Sequence, residues 1–141
     1  QIATNNIRVL PNFIIIGSEL TQFNKLIKNM NTNEKKRLHT KWPGAHTWLV
    51  EANKKTPKWL TSSNKIALRI PSFIHCIRIT QAINQPVIST SLNKSGKKPI
   101  KSYRDACRLF NGKLKIINGQ IGRNRKPSSI HDFSTGKIYR N

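Results

Sequence analysis

The chain has 141 residues, with 26 Lys plus Arg against 5 Asp plus Glu and a formal net charge of +21. At 36% hydrophobic residues it has the apolar content of a folded protein, and a chain of this size buries about 68% of its unfolded surface without a disulfide scaffold. No apolar run approaches the ~20 residues that span a bilayer, the longest being Phe13 to Ile16, so the expectation is one domain over residues 1–141 with no membrane partner.

In chain order, the apolar run Asn12 to Gly17 predicts a strand. Ser18 to Met30 then has Leu20, Phe23, Leu26, Ile27 and Met30 at helical spacing, with Ser18 as N-cap and Glu19 in the first turn. A shorter basic helix is predicted over Glu34 to Thr40, stopped by Pro43-Gly44 before a strand from His46 to Val50. Thr56 to Asn64 reads as loop. Lys65 to Ile70 alternates as a strand ending at Pro71, after which Ser72 caps a helix to about Ile83. Asn84-Gln85-Pro86 breaks the chain before a short strand, Val87 to Thr90, and a polar loop, Ser91 to Pro99. Ser102 and Asp105 form a variant capping box ahead of Ala106, Leu109 and Phe110, and Asn111-Gly112 ends that helix. Strands over Lys113 to Asn118, Ser129 to Phe133 and Lys137 to Arg140 bring the expected total to about seven, with Gly119 to Pro127 a basic loop. Strands interleaved with helices predict an α/β or α+β fold, a sheet flanked by helices.

Several segments have the residue types for chemistry. A pI near 11.0 is the electrostatic footprint of many nucleic-acid binders. The cations are scattered, however, and abundant Asn, Ile and Lys also follow from an AT-rich genome, so a phosphate-binding surface and codon bias both account for the charge. Ser89-Thr90-Ser91-Leu92-Asn93-Lys94-Ser95-Gly96 supplies hydroxyls, an amide, a lysine and a flexible turn, which suit either an anion nest or a plain surface turn; it lacks the glycine spacing of a Walker A loop. Arg69 stands in an apolar strand, where a guanidinium needs an anion, a carboxylate or solvent. His131 and Asp132 are adjacent on a strand and so point to opposite faces, which argues against a hydrolytic triad. Cys76 and Cys107 have no ligand spacing and read as reduced core thiols of a cytoplasmic protein; no zinc, other protein-held metal or organic cofactor is expected.

The order of these pieces is more specific than any one of them. Lys41-Trp42-Pro43-Gly44-x-x-Thr47, Leu68-Arg69-Ile70-Pro71, Ser89-Thr90-Ser91-x-Asn93-x-Ser95-Gly96, Pro127-Ser128-Ser129-Ile130 and Ile138-Tyr139-Arg140 closely resemble the YrdC family of threonylcarbamoyl-AMP synthases, from about Phe13 to the end. The resemblance implies a twisted mixed parallel and antiparallel sheet with a basic concave surface. It also implies an enzyme that makes threonylcarbamoyl-adenylate from L-threonine, bicarbonate and ATP, releasing pyrophosphate, for threonylcarbamoyladenosine modification of tRNA. By matching positions, Arg69, Asn93 and Arg140 would bind ATP, Ser91 and Ser128 would bind threonine, and Thr47, Ser89, Thr90 and Ser95 would support the loop. A cation-rich, carboxylate-poor site suits nucleotidyl transfer, which depends on positioning and charge neutralisation. Magnesium is expected with ATP, and a tRNA threonylcarbamoyl-transfer complex is the expected downstream partner.

The sequence departs from the family pattern in three places. Ala45 replaces a second proline, Leu92 replaces alanine, and the family's Lys-x-Arg element reads here as Asn5-Asn6-Ile7-Arg8-Val9-Leu10-Pro11. Since the chain opens on Gln1, the expectation is that an N-terminal part of the family domain lies upstream. The alternative function is a non-catalytic module on the same fold that binds double-stranded RNA or tRNA.

Overall fold

A computed structural model describes residues 10–94, 96–110, 112–120 and 126–141. The chain divides into two compact units, Gln1–Ser89 with Pro127–Asn141, and Thr90–Lys126. The first unit is built on a six-stranded sheet of β1 (Ile14–Ile16), β2 (His46–Glu51), β3 (Lys65–Arg69), β4 (Val87–Ser89), β5 (Ser129–Asp132) and β6 (Ile138–Arg140), in the order β4-β1-β3-β2-β5-β6. β1 runs parallel to β3 and β2 parallel to β5, while the β1/β4, β2/β3 and β5/β6 pairs are antiparallel. The expected mixed sheet is therefore present.

Alternation along the strands sorts residues onto two faces. One face carries Ile15, Trp48, Val50, Ile66 and Leu68, which join Phe23, Ile27, Leu38, Trp42 and Phe133 in the main core. The other carries a smaller apolar cluster, Leu49, Ala67 and Ile130 with Ile14 and Tyr139 packed against it. On this second face Asp132 is almost wholly buried and forms an ion pair with Lys65; its carboxylate also accepts the backbone N–H groups of Ser134 and Thr135. Burial alone would raise the Asp132 pKa, but the Lys65 ammonium and these donors hold it below its ordinary value.

The helix predicted from Ser18 to Met30 is instead a single 3-10 turn, Leu20–Phe23. Its periodicity is real, since Phe23 and Ile27 are buried, but the backbone beyond it pairs sideways: Lys28 N–H donates to the Glu51 carbonyl and Asn53 N–H to that of Leu26. Tertiary pairing with residues 51–53 replaces the i→i−4 ladder. Gly17 makes the sharp entry feasible, because a Cβ there would lie 2.8 Å from the Phe23 ring.

The basic helix starts earlier than expected, as α1 (Thr32–His39). Asn31 closes a full capping box in which it accepts from Glu34 N–H at 2.9 Å, and Glu34 accepts from Asn31 N–H at 2.8 Å. Lys36, Arg37 and His39 in the last turn suit the helix dipole. α2 (Ile74–Ile83) is N-capped by Phe73 with no side-chain bond, so the predicted cap at Ser72 is not made.

In the second unit, α3 (Tyr103–Phe110) follows Ser102 as predicted: the Ser102 hydroxyl accepts from Asp105 N–H at 3.1 Å and donates to the Asp105 carboxylate at 2.6 Å. The strand predicted over Lys113 to Asn118 is absent, and these residues are turn and irregular chain. Leu114 and Ile117 are 51% and 77% exposed, so the apolar run has no neighbouring strand to pair with or pack on. Cys76 and Cys107 are free and half-buried rather than core.

Candidate active site

Four motif residues of the first unit, Thr47, Arg69, Ser128 and Arg140, come together on the second sheet face. The antiparallel register Trp48↔Leu68 brings Thr47 opposite Arg69, the parallel register pairs Thr47 with Ile130, and Ile130 pairs with Arg140. Arg69, Thr47, Ile130 and Arg140 thus form one row across β3, β2, β5 and β6, about 14 Å wide at the spacing of neighbouring strands. Ser128 lies one step before β5, and its hydroxyl is 2.8 Å from that of Thr47, with both residues buried.

Arg140 is anchored on this pair, donating from Nε to the Ser128 carbonyl at 2.6 Å and from Nη2 to the Ser128 hydroxyl at 3.2 Å. Arg69 donates from Nε to the Gly44 carbonyl at 2.8 Å, while Gly44 N–H donates to the Ile70 carbonyl at 2.9 Å. The Trp-Pro-Gly turn and the Arg-x-Pro strand are in this way tied together by their backbones. A side chain at residue 44 would place its Cβ 2.9 Å from the Lys41 carbonyl, so the turn requires glycine. Trp42 is buried below it and donates its indole N–H to the His46 carbonyl at 2.8 Å.

Neither guanidinium pairs with a carboxylate among the described residues, where the ion pairs are Lys28–Glu51 and Lys65–Asp132. Burial lowers the pKa of both arginines; for Arg69 the Cys76 thiol opposes this and Arg140 adds a smaller lowering. Both remain charged at neutral pH, since an arginine starts from 12.5 or above. Two partly buried cations with forked donors and no carboxylate partner have the chemistry to hold an anion.

On the opposite face of the same two strands, His46 Nδ1 is 2.8 Å from the Ser129 hydroxyl. The His46 ring packs edge-on against Trp48 and His131, with centroids 4.4 and 4.5 Å away. Burial, then His131 and Lys41, lower the His46 pKa to about 4.

The other motif residues are distributed as follows. Ser89 ends β4 and pairs with Ile14, two positions along the sheet from the arginine row. Thr90, Ser91 and Asn93 belong to the second unit. There the Ser91 hydroxyl donates to the Asn93 side-chain carbonyl, and Asn93 Nδ2 donates to the carbonyls of Lys94 and Lys97 at 2.9 and 3.0 Å. The loop is a self-bonded turn with Ser91 exposed. Ser95 and Arg8 lie outside the described residues. The sequence reading missed the Thr47–Ser128 and His46–Ser129 bonds; the Ser-Ser dipeptide facing a His-Thr dipeptide was their only trace. No group of three His, Cys, Asp or Glu side chains among the described residues is arranged to hold a metal. No helix among the described residues is long and apolar enough to cross a membrane.

Comparison with known proteins gives this geometry a family. The family model Sua5_yciO_yrdC, described as "Telomere recombination", matches residues 6–141. A threonylcarbamoyl-AMP synthase of Methylobacillus flagellatus is 36% identical over 128 residues, covering 90% of this chain and 71% of that protein. One from Cellvibrio japonicus is 35% identical, over 90% of this chain and 68% of the relative. Among solved structures, Sua5 of P. abyssi complexed with L-threonine superposes with a TM-score of 0.75 at 26% identity, over 86% of this chain. The chain spans only 36% of that larger protein. E. coli YciO, at 22% identity, shares the fold with a TM-score of 0.75 over 96% of this chain and 69% of its own. Matched over residues 6–141 by the family model and at 35–36% identity by these relatives, the chain belongs to the Sua5/YciO/YrdC family.

Proposed function

We propose that the chain is a threonylcarbamoyl-AMP synthase. In this reading the amine of L-threonine forms a C–N bond with the carbon of bicarbonate, with loss of water. An oxygen of the resulting carbamate then attacks the α-phosphorus of ATP, and pyrophosphate leaves. The observation that carries the reading is the pair of counter-ion-free guanidiniums, Arg69 and Arg140, set on the Thr47–Ser128 hydroxyl pair at the family's motif positions. Like charges 4 Å apart repel by about 4 kcal/mol at an effective dielectric of 20, so joining a carbamate to a triphosphate demands such cations.

Arg69 and Arg140 neutralise and orient the ATP anion, and Ser128 donates to the threonine-derived carboxylate. Asn93 and Ser91 take the roles the family resemblance assigns them, nucleotide and threonine contact, with Thr47, Ser89, Thr90 and Ser95 supporting. We read residues 1–141 as one family domain, since the family match runs through both units. The row has no carboxylate, so the residues present do not form a magnesium cage, and Mg²⁺ entering with ATP would rest on phosphate oxygens and water. The product would pass, in the cytoplasm, to a tRNA threonylcarbamoyl-transfer complex.

The test is pyrophosphate release. It should require threonine and bicarbonate together and fall at least a hundredfold in Arg69→Gln; release independent of threonine overturns the assignment.

A further inference from the structure

β2 and β5 begin side by side, and the residues at their starts are bonded to each other on both faces of the sheet. Thr47 and Ser128 meet on the arginine face at 2.8 Å, while His46 and Ser129 meet on the core face at 2.8 Å. Ser129 N–H also donates to the Ala45 carbonyl at 3.1 Å. Ser128 carries both hydrogen bonds that hold Arg140. Ser128 is thus fixed from both faces, by its own hydroxyl on Thr47 and, through its neighbour, by Ser129 on His46. We infer that His46 is a positioning residue: its neutral ring, bonded to Ser129, fits the buried site that holds Ser128 and Arg140, and a charged ring, with an unmatched Nε2–H, is driven out of that site and releases them.

The geometry disfavours that proton strongly. His46 is 6% exposed, and its Nε2 is buried without a hydrogen-bond partner, as is Nε2 of His131. An imidazolium carries N–H on both nitrogens, so charging the ring would bury an unmatched cationic donor. The groups facing it offer no counter-charge. His131 of β5 and Lys41 of the α1–β2 connection both oppose protonation. Trp48 separates the ring from Phe133, over which Arg37 of α1 lies. Asp132, next to His131, is on the other face with Lys65.

The inference rests on the proposed function only for what the row binds, so the two can be tested apart. In the full chain, the imidazole signals of His46, the amide of Ser128 and the Nε–H of Arg140 are followed by NMR from pH 7 to pH 3. The expected result is a shared midpoint near pH 4 for all three. His131→Gln, which removes one opposing group without touching the row, should move the three midpoints upward together. His46→Asn, which carries no titrating group, should erase the step at Arg140. Flat Ser128 and Arg140 signals across the His46 titration would overturn the inference, as would an Arg140 step that survives in His46→Asn. ATP-dependent thermal stabilisation is read on the same samples. A row that follows His46 in a protein that ATP does not stabilise supports the inference and overturns the nucleotide assignment; ATP binding with an unresponsive row does the reverse.

Discussion

Arg69 shows how much one residue's identity conveys and where its environment takes over. A guanidinium in an apolar strand signals an anion, a carboxylate or water; only the fold supplies the Gly44 carbonyl for Nε and leaves the remaining fork open. Asn93 is the opposite case, because its side chain is held by the Lys94 and Lys97 carbonyls and by Ser91 within its own loop. Ser91→Ala combined with Asn93→Ala should abolish ATP- and threonine-dependent thermal stabilisation at little cost in the unliganded Tm. Donors of this type at a reacting centre are worth roughly 3 to 4 kcal/mol, whereas exposed loop changes rarely unfold a protein. An unchanged ligand shift in the double variant would remove both residues from the site. Asp132 is a matter of stability: Asp132→Ala leaves Lys65 without its partner and should destabilise by about 3 to 5 kcal/mol in denaturant melts. Its folded pKa lies below the ordinary 3.8, so this stabilisation is complete above that value and is lost as pH falls through the lower, folded value. The wild-type protein should lose this increment only in strong acid, and the Ala variant should lack that acid-side loss.

At the scale of elements, local signals were reliable where the deciding contacts are local. The Ser102–Asp105 cap, the stop at Pro43-Gly44 and the strands over residues 46–50 and 65–70 were legible because turn chemistry and alternation act within a few positions. The Asn31 cap also stands in the sequence, three residues before Glu34, and it starts α1 two residues ahead of the expected Glu34. Asn31→Ala should lower stability by about 1 kcal/mol, read as a lower denaturant midpoint with an unchanged slope. Periodicity failed over Ser18 to Met30, where the same buried face is served by a 3-10 turn and a bridge from Ile27 to Ala52. A helical pattern records which side chains are buried, and more than one backbone path can bury them.

For the whole molecule, +21 is a property of the chain, and its meaning depends on where the charges sit. A phosphate-binding surface predicts double-stranded RNA affinity that falls steeply with salt, at a log-log slope of about −0.9 per phosphate neutralised, with slight sequence preference. This is the non-catalytic alternative on the same fold, and filter or fluorescence binding between 50 and about 200 mM salt checks it. A flat response would leave composition as the source of the lysines. Loss of RNA binding in Arg69→Gln would place RNA and nucleotide on the same row, while retention would separate them.

The sequence by itself determined the family, the mixed sheet and the positions of the motif residues, because those follow from residue types at fixed spacing. Tertiary structure alone decided which of them touch. Thr47 reaches Ser128 across 81 positions, and His46 reaches Ser129 across 83. Parallel pairing of β2 with β5 creates both contacts at once, and parallel strands need a long connection whose length hides the partner. The charge state of His46 is likewise a result of packing: a histidine is ordinarily near 6.5, and only burial beside Trp48, His131 and Lys41 brings it to about 4.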